Sequence, residues 1–581
     1  MVWKFCKPAL LASAVVLGVA LPASAQGVAG PYLAAVQAEQ RGDVAAAARY
    51  FARALARDGS NVAIMERAMM NQIAAGNIAE GIAIARRFDA ISPGHHLGVL
   101  ALAADGLRDG EHDSVQEMLG DRAPFVARVI EAWSLMESGS FDEGRAILDS
   151  LEATTENGRQ GQVVAATHLG LMLAAADRDA DAVEVFQRVA AMPNGDTVLM
   201  VQARAGALAR LGRTDEAVAV LESWAAVNFA DPSQTSLIDE LKAGEVPRPV
   251  VSDAKEGAAD VLYSVARLLV RGQSRDVSLA YAQIAGYLDP DRGDAKLLVA
   301  QIFDAGGQYE LAVAAYESIA ADAPEALGAL IGKSEVLFES GEEDQAIVAM
   351  QAAVDQFPGS LDAQTSLGDL LRRAQRFEES VTAYDAAVAL LPEVTRQYWP
   401  LFYRRGIALE RAGIWERAEA DFRLSLELEP DQPDVLNYLG YSLVEMGQNL
   451  DEAEEMIQKA VDQRPEDGYI VDSLGWIYYR FGEFDLAVQH LGNAVELRPI
   501  DPVINDHLGD ALWMVGRKIE ARFQWKRALS FEPEEKDAER IRRKLDVGLD
   551  VILAEEAEEG LPGIIGRQTE NGVQSTPNDG G

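Results

Sequence analysis

The sequence has almost no cysteine: among its 581 residues the single one is Cys6. Cys6 precedes the apolar stretch near the N-terminus, so the chain beyond that stretch has no thiol at all. This excludes disulfide bonds and cysteine chemistry from the folded part of the protein. A lipid-attachment cysteine would have to follow the apolar stretch, so the sequence does not predict a lipoprotein.

Basic residues are also scarce. The chain has 52 Lys and Arg against 92 Asp and Glu, a formal net charge of -40. Binding to nucleic acid depends on clustered cations that neutralise phosphates, so this balance argues against it, and equally against docking on anionic lipid. An acidic surface that keeps a long protein soluble accounts for the charge.

Long hydrophobic runs are absent after the N-terminus. Lys4 and Lys7 precede an apolar region from Leu10 to Leu21, and Ala23–Ala25 offer a small-x-small cleavage site before Gln26. The apolar region is too short to span a bilayer comfortably. This arrangement is typical of a secretory signal peptide. We therefore predict that residues 1–25 are removed, with cleavage after Ala25, and that the protein is periplasmic.

Motifs for catalysis are missing as well. The six histidines show no HExxH-type spacing, and the sequence has no phosphate-binding loop and no GxSxG nucleophile elbow. Asp-rich turns lack the glutamate that closes a calcium loop, so helix N-capping explains them better. The sequence predicts no enzyme, no metal and no cofactor.

What the chain does contain is an internal repeat. In residues 469–499, YIVDSLGWIYYRFGEFDLAVQHLGNAVELRP, small and apolar residues recur every three or four positions, and Gly482 interrupts them. This pattern predicts two helices with a short turn between them. The landmarks recur 34 residues later, and Pro290, Pro324, Pro358 and Pro392 are also 34 apart. A helix pair repeated at this period resembles the tetratricopeptide repeat (TPR).

The resemblance implies an all-α protein, a right-handed superhelical α-solenoid of stacked helix-turn-helix units. We assign residues 1–25 to the signal peptide, 26–231 to an N-terminal array of about six degenerate units, and 259–535 to a C-terminal array of about eight. Residues 232–258 interrupt the repeats, either as a hinge or as an extended segment packed on the solenoid. Residues 536–559 are predicted to form one capping helix, and 560–581 a disordered tail.

In this family the first helix of each pair lines a concave groove. Carrying the groove-facing positions over to this sequence gives one set of candidate partner-binding residues: Tyr403, Asn437, Tyr441, Asp472, Trp476, Tyr479, Asp506, Asp510 and Trp513. The same positions also hold Ile407, Glu410, Arg411, Val444, Glu445 and Arg480.

Two of these candidates, Trp476 and Trp513, are not needed to fill the expected core, so we expect them to be exposed anchors for a partner. Residues 398–531 hold 18 aromatics in 134 positions, against 10 in 225 for residues 26–250. This asymmetry favours recognition in the C-terminal half, although a bulkier core explains it equally well. Replacing both tryptophans by Ala should then weaken partner capture without unfolding the protein.

A carboxylate-clamp TPR binds the C-terminal carboxylate of its partner through Lys, Arg and Asn. Here the matching positions hold Asp472, Asp506 and Asp510, which would repel a free carboxylate. The sequence therefore favours an apolar or basic partner surface.

Residues 472–499 and 504–522 resemble the C-terminal repeats of bacterial envelope adaptors, one group of which delivers substrates to carboxyl-terminal processing proteases. The resemblance implies a non-enzymatic periplasmic scaffold or adaptor. The alternative is a scaffold of an exopolysaccharide or cell-wall export complex. An enzyme fused to repeats would need a catalytic domain, and the segments outside the repeats are too short for one.

Overall fold

The computed structural model describes residues 27–120, 124–154, 158–228, 232–270, 275–558 and 563–565. Regular structure in these ranges is entirely helical, with 31 α-helices, one short 3₁₀ helix and no strand. This confirms the all-α class. The predicted signal peptide, and the predicted tail apart from residues 563–565, lie outside the described residues.

The chain divides into two compact units, Met1–Ala349 and Met350–Gly581. The described helices of the first unit are α1 (Ala29–Gln40), α2 (Val44–Arg57), α3 (Val62–Ala74), α4 (Ile78–Asp89), α5 (His96–Asp109), α6 (His112–Leu119), α7 (Phe125–Glu137), α8 (Phe141–Ala153), α9 (Gly158–Ala175), α10 (Asp179–Ala190), α11 (Val198–Arg210), α12 (Thr214–Ala225), α13 (Pro232–Lys242), α14 (Ala254–Val270), α15 (Arg275–Leu288), α16 (Gly293–Ala305), α17 (Tyr309–Glu317) and α18 (Ala326–Glu339).

The unit boundary falls within the next helix, α19 (Glu343–Gln356). The other described helices of the second unit are α20 (Leu361–Arg373), α21 (Phe377–Ala389), the 3₁₀ helix Arg396–Tyr398, α22 (Trp399–Arg411), α23 (Trp415–Leu428), α24 (Pro433–Glu445), α25 (Leu450–Gln463), α26 (Gly468–Arg480), α27 (Phe484–Leu497), α28 (Pro502–Met514), α29 (Lys518–Ser530), α30 (Glu535–Val547) and α31 (Leu549–Glu558).

Helices pair as the repeat predicts, and small residues at the crossing points allow it. The two helices of the repeat at 469–499 are α26 and α27. A Cβ atom at Gly475 would lie only 2.6 Å from Cγ of Leu491, so a larger residue would force the two helices apart. The next pair begins at Asp501, whose carboxylate accepts hydrogen bonds from the backbone N–H groups of Val503 and Ile504. This N-cap satisfies donors that the first helical turn leaves free.

In the first unit, the interruption at 232–258 is partly helical. It contains α13, a non-helical stretch, and the start of α14, which begins at Ala254 rather than 259. The carbonyl of Pro247 accepts a hydrogen bond of 3.1 Å from Arg210. Helix α14 then packs on α7, where the backbone N–H of Ala254 donates to Glu137 at 3.0 Å. These contacts hold the non-helical stretch against α11 and the start of α14 against α7.

Helix α15 of the same unit lies against α3 and α5, and α14 also contacts α9. The contact between α14 and α7 is close, because a Cβ at Gly257 would lie 2.3 Å from the ring of Trp133. Tyr287 of α15 donates a hydrogen bond of 2.7 Å to Asp105 of α5. The first helices α3, α5, α7 and α9 are therefore covered by α14 and α15.

In the second unit, the cap differs from the prediction. Two helices, α30 and α31, close the described end of the stack instead of one. The break lies at Gly548, whose φ of 91° favours glycine. A Cβ at this position would also lie 2.8 Å from the ring of Trp513. The single capping helix was therefore wrong, because Gly548 turns the chain so that α31 folds back on α30.

Candidate functional site

A cavity of about 440 Å³ lies in the second unit, between first helices of three consecutive pairs and the two capping helices. We call it the C-terminal groove. Residues of α24, α26, α28, α30 and α31 line the groove together with residues 563–564. They include Tyr441, Glu445, Trp476, Tyr479, Arg480, Val503, Asp506, His507, Lys536, Arg540, Glu556, Gly563 and Ile564.

An aromatic stack forms one wall of the groove. The ring of Trp476 lies 4.7 Å from that of Tyr479, nearly parallel at 10°. On the other side, the ring of His507 lies 4.0 Å from Trp476 at 18°. The indole Nε1 of Trp476 donates a hydrogen bond of 2.7 Å to Glu445. The two stacked rings and the hydrogen bond hold Trp476 in one orientation.

The predicted acidic residues of the groove are paired within the protein. The Nζ of Lys544 lies 2.7 Å from a carboxylate oxygen of Asp506 and 2.7 Å from one of Asp510. Arg540 approaches Asp510 to 3.4 Å, and the indole N–H of Trp525 donates to Asp510 at 2.9 Å. The side chains of Lys544 and Asp510 are fully buried. These two aspartates therefore bind the cap of the stack.

Asp472, the third predicted acid, is buried against His507, with the two side chains 3.0 Å apart. Burial alone lowers the pKa of His507, but the carboxylate of Asp472, with smaller contributions from Asp506 and Asp510, raises this pKa above its ordinary value. The two residues lie 35 positions apart, one repeat and one residue. Because His507 and Asp472 belong to different repeats, no short sequence spacing reveals this pair.

The raised pKa of His507 makes the stability of the second unit depend on pH. A group whose pKa is higher in the folded state stabilises the protein fully below its unfolded pKa, and this contribution is lost as pH rises through the folded pKa. We expect the free energy of unfolding to fall between pH 6 and pH 8.5 more steeply in the natural chain than in His507→Gln. Urea unfolding followed by tryptophan fluorescence at both pH values measures the difference. Equal slopes would mean that His507 carries no stabilising charge.

Trp513 does not line the groove. Its side chain is only 8% exposed, and its ring lies 5.2 Å from that of Trp525. The Nζ of Lys518 lies 4.4 Å above the indole, and Gly548 closes the remaining side. The structure corrects the expectation that this ring is exposed, because the fold of α30 and α31 covers it.

The remaining candidates lie in two places. Tyr441 lines the groove, and burial, followed by Glu445 and Asp472, raises its pKa. Tyr403 packs 6.1 Å from Tyr438, outside the residues that line the groove, and burial raises its pKa to about 12. Asn437 is half-buried and is also outside that lining. The groove thus brings together Tyr441, Trp476, Tyr479 and Asp506 of the nine predicted residues.

A short segment near the C-terminus occupies part of the groove. The Nε of Arg480 donates a hydrogen bond of 3.0 Å to the carbonyl of Gly563, and the backbone N–H of Ile565 donates one of 2.8 Å to the carbonyl of Arg480. Arg480 also forms an ion pair of 2.8 Å with Glu445 and is 3% exposed. These residues belong to the predicted disordered tail, and the repeat pattern gives no signal for this contact.

The family model described as "Tetratricopeptide repeat" matches residues 297–360, 331–394 and 403–468. These matches cover described helices between α16 and α25. The chain contains tetratricopeptide repeats. A TPR repeat-containing protein of Pseudomonas aeruginosa is 37% identical over 110 residues, which are 19% of this chain and 18% of that protein. The chain thus spans about a fifth of the length of this relative.

Solved structures similar to this TPR chain include the APC/C hetero-tetramer Cut9–Hcn1, at 14% identity, 89% coverage of this chain, 96% of that chain and a TM-score of 0.36. Yeast Tom70 is 11% identical, with 92% and 98% coverage and a TM-score of 0.34. YrrB, a TPR protein with an unusual peptide-binding site, is 19% identical, with 29% and 86% coverage and a TM-score of 0.25. These TM-scores are too low to support an inference about function.

Within the described ranges of the TPR chain, no group of three or more His, Cys, Asp or Glu residues is arranged to hold a metal ion. In the same ranges, no helix is both long enough and apolar enough to cross a bilayer.

Proposed function

We propose that this TPR protein is a non-enzymatic periplasmic scaffold that binds a protein partner in the C-terminal groove. One observation carries the proposal: the groove is walled by an aromatic stack whose members are already fixed. Trp476 is stacked between Tyr479 and His507 and hydrogen-bonded to Glu445. Fixed side chains lose little conformational entropy on binding, so such a wall is suited to recognition.

TPR domains generally serve as non-catalytic scaffolds, which supports a binding role over an enzymatic one. The periplasmic location is supported by the charged, apolar and small-residue regions in residues 1–25. The resemblance of residues 472–499 and 504–522 to envelope adaptors supports a narrower role. We propose that the protein delivers substrates to an envelope protease.

Replacing Trp476 by Ala tests the groove. We expect capture of the partner to fall at least about tenfold, because removal of a central aromatic hot spot costs about 2 kcal/mol or more of binding energy, and each 1.4 kcal/mol is about a factor of ten in affinity. Tagged chains are expressed with residues 1–25 and purified from the periplasm in the form that starts at Gln26. The proteins retained with them are quantified by mass spectrometry. Recovery of a protease with its substrates supports delivery, whereas recovery of polysaccharide synthase or export-pore subunits would point to an export scaffold.

Two variants control this experiment. Phe523→Ala removes an aromatic ring of the same unit that is 61% exposed and lies outside the groove lining, so capture should stay unchanged. Trp476→Phe keeps a ring for the stack and should retain more capture than Trp476→Ala. If Trp476→Ala keeps its fold by circular dichroism and captures the same proteins at the natural level, the groove is not the binding site.

A further inference from the structure

Residues 563–565 bind to α26 through their main chain. Helix α26 ends at Arg480, and the last carbonyls of a helix have no partner within it. The backbone N–H of Ile565 donates to the carbonyl of Arg480, and the Arg480 side chain returns a hydrogen bond to the carbonyl of Gly563. Arg480 thus binds the segment twice, accepting a hydrogen bond at its carbonyl and donating one from its side chain. Both hydrogen bonds use main-chain atoms of the segment, so they do not depend on its side chains.

The side chains of the segment lie beside the turns of two consecutive repeats. A Cβ atom at Gly482 would lie 3.7 Å from Cγ2 of Ile564, and one at Gly447 would lie 3.6 Å from Cδ1 of Ile565. Gly447 and Gly482 are the turn glycines of the α24/α25 and α26/α27 pairs. Each isoleucine therefore lies beside the turn of one repeat. The two side chains remain 39% and 36% exposed, so the contact is partial.

We propose that the C-terminal groove, together with the adjoining turns at Gly447 and Gly482, accepts an extended polypeptide segment with two consecutive branched apolar residues, and that Gly563–Ile565 holds this place until a partner displaces it. The inference rests on the proposed function. It adds the chemistry of the partner, and it adds regulation of binding by a segment of the same chain. A segment tethered close to its site has an effective concentration in the millimolar range. A free partner must therefore compete with the segment. The apparent affinity for the partner is the intrinsic affinity multiplied by the fraction of grooves that the segment leaves open.

A synthetic peptide of residues 560–568, GLPGIIGRQ, is the probe, labelled for fluorescence polarisation. It is titrated with the chain starting at Gln26 and with the same chain carrying Ile564→Asp and Ile565→Asp. The double variant replaces apolar contacts by charges on an exposed segment, so the fold of the second unit does not depend on it. We expect the peptide to bind the double variant at least about tenfold more tightly than the natural chain.

Two controls make the comparison specific. Ile519→Asp introduces the same charge at an isoleucine of α29 that is 87% exposed, and it should bind the peptide as weakly as the natural chain. A peptide with both isoleucines replaced by Asp should not bind either chain. Equal affinity of GLPGIIGRQ for the natural chain and the double variant, or no binding to the double variant, would overturn the inference.

The inference and the proposed function can fail separately. If GLPGIIGRQ does not bind while partner capture still depends on Trp476, the groove binds a partner but the tail does not mimic it. If GLPGIIGRQ binds the double variant as expected while Trp476→Ala leaves capture unchanged, the tail contact is real and the proposed partner site lies elsewhere.

Discussion

Replacing Lys544 by Met is expected to lower the free energy of unfolding of the second unit by about 3–5 kcal/mol. Lys544 is fully buried and lies 2.7 Å from both Asp506 and Asp510. Without it, two carboxylates stay inside the protein, and Asp510 keeps the hydrogen bond from Trp525 and the more distant Arg540, 3.4 Å away. An unpaired buried charge is far more costly than the loss of the ion pair itself. Urea unfolding followed by circular dichroism measures the change.

The physical cause is tested by removing the acids together with the base. A chain with Lys544→Met, Asp506→Asn and Asp510→Asn buries no unpaired charge at this site, so it should recover much of the lost stability. Lys526→Met changes an exposed lysine of the same unit and should stay within about 0.5 kcal/mol of the natural chain. A loss of less than about 1 kcal/mol for Lys544→Met alone would show that the cap does not depend on this cluster.

Replacing Trp513 by Ala is expected to destabilise the second unit by about 3–5 kcal/mol, the usual cost of truncating a buried aromatic ring. The ring packs against Trp525 and below Gly548, and it is 8% exposed. The sequence predicted a loss of partner capture without unfolding when Trp476 and Trp513 are both replaced. The structure separates the two residues: unfolding is the expected result at Trp513 and loss of binding at Trp476.

Thermal and urea unfolding of single variants distinguish these roles. Phe523→Ala, at an exposed aromatic of α29, is the matched control and should change stability by no more than about 0.5 kcal/mol. A Trp513→Ala chain as stable as the control would contradict the burial of this ring. Trp476→Ala should lose less stability than Trp513→Ala. Trp476 is only partly buried, and the space left by its removal opens to the groove.

Much of the fold could be predicted because a TPR unit is defined by local pattern. The period of 34 residues, the turn glycine Gly482 and the N-cap Asp501 each act within one or two helices. Gly475 opposite Leu491 is likewise a contact within one repeat. Short-range features of this kind recur along the chain, so their positions can be read without knowing what the rest of the chain does.

The groove was harder to predict because its chemistry depends on pairs from different repeats. Asp472 pairs with His507 of the next repeat, and Asp510 pairs with Lys544 of the cap. Family positions indicated which side of each first helix faces the groove, but they did not say which acids are neutralised. That depended on α30 and α31, which lie outside the repeat pattern and were predicted as a single helix.

By itself, the sequence determined the helical class and the repeat period, because these follow from spacings within a few turns of helix. Only the tertiary structure decided which predicted residues remain available. It buried Trp513, paired Asp506 and Asp510 with Lys544, and placed Ile564 in the groove. These outcomes depend on contacts between residues that lie far apart in the chain, and such contacts exist only once the repeats are stacked.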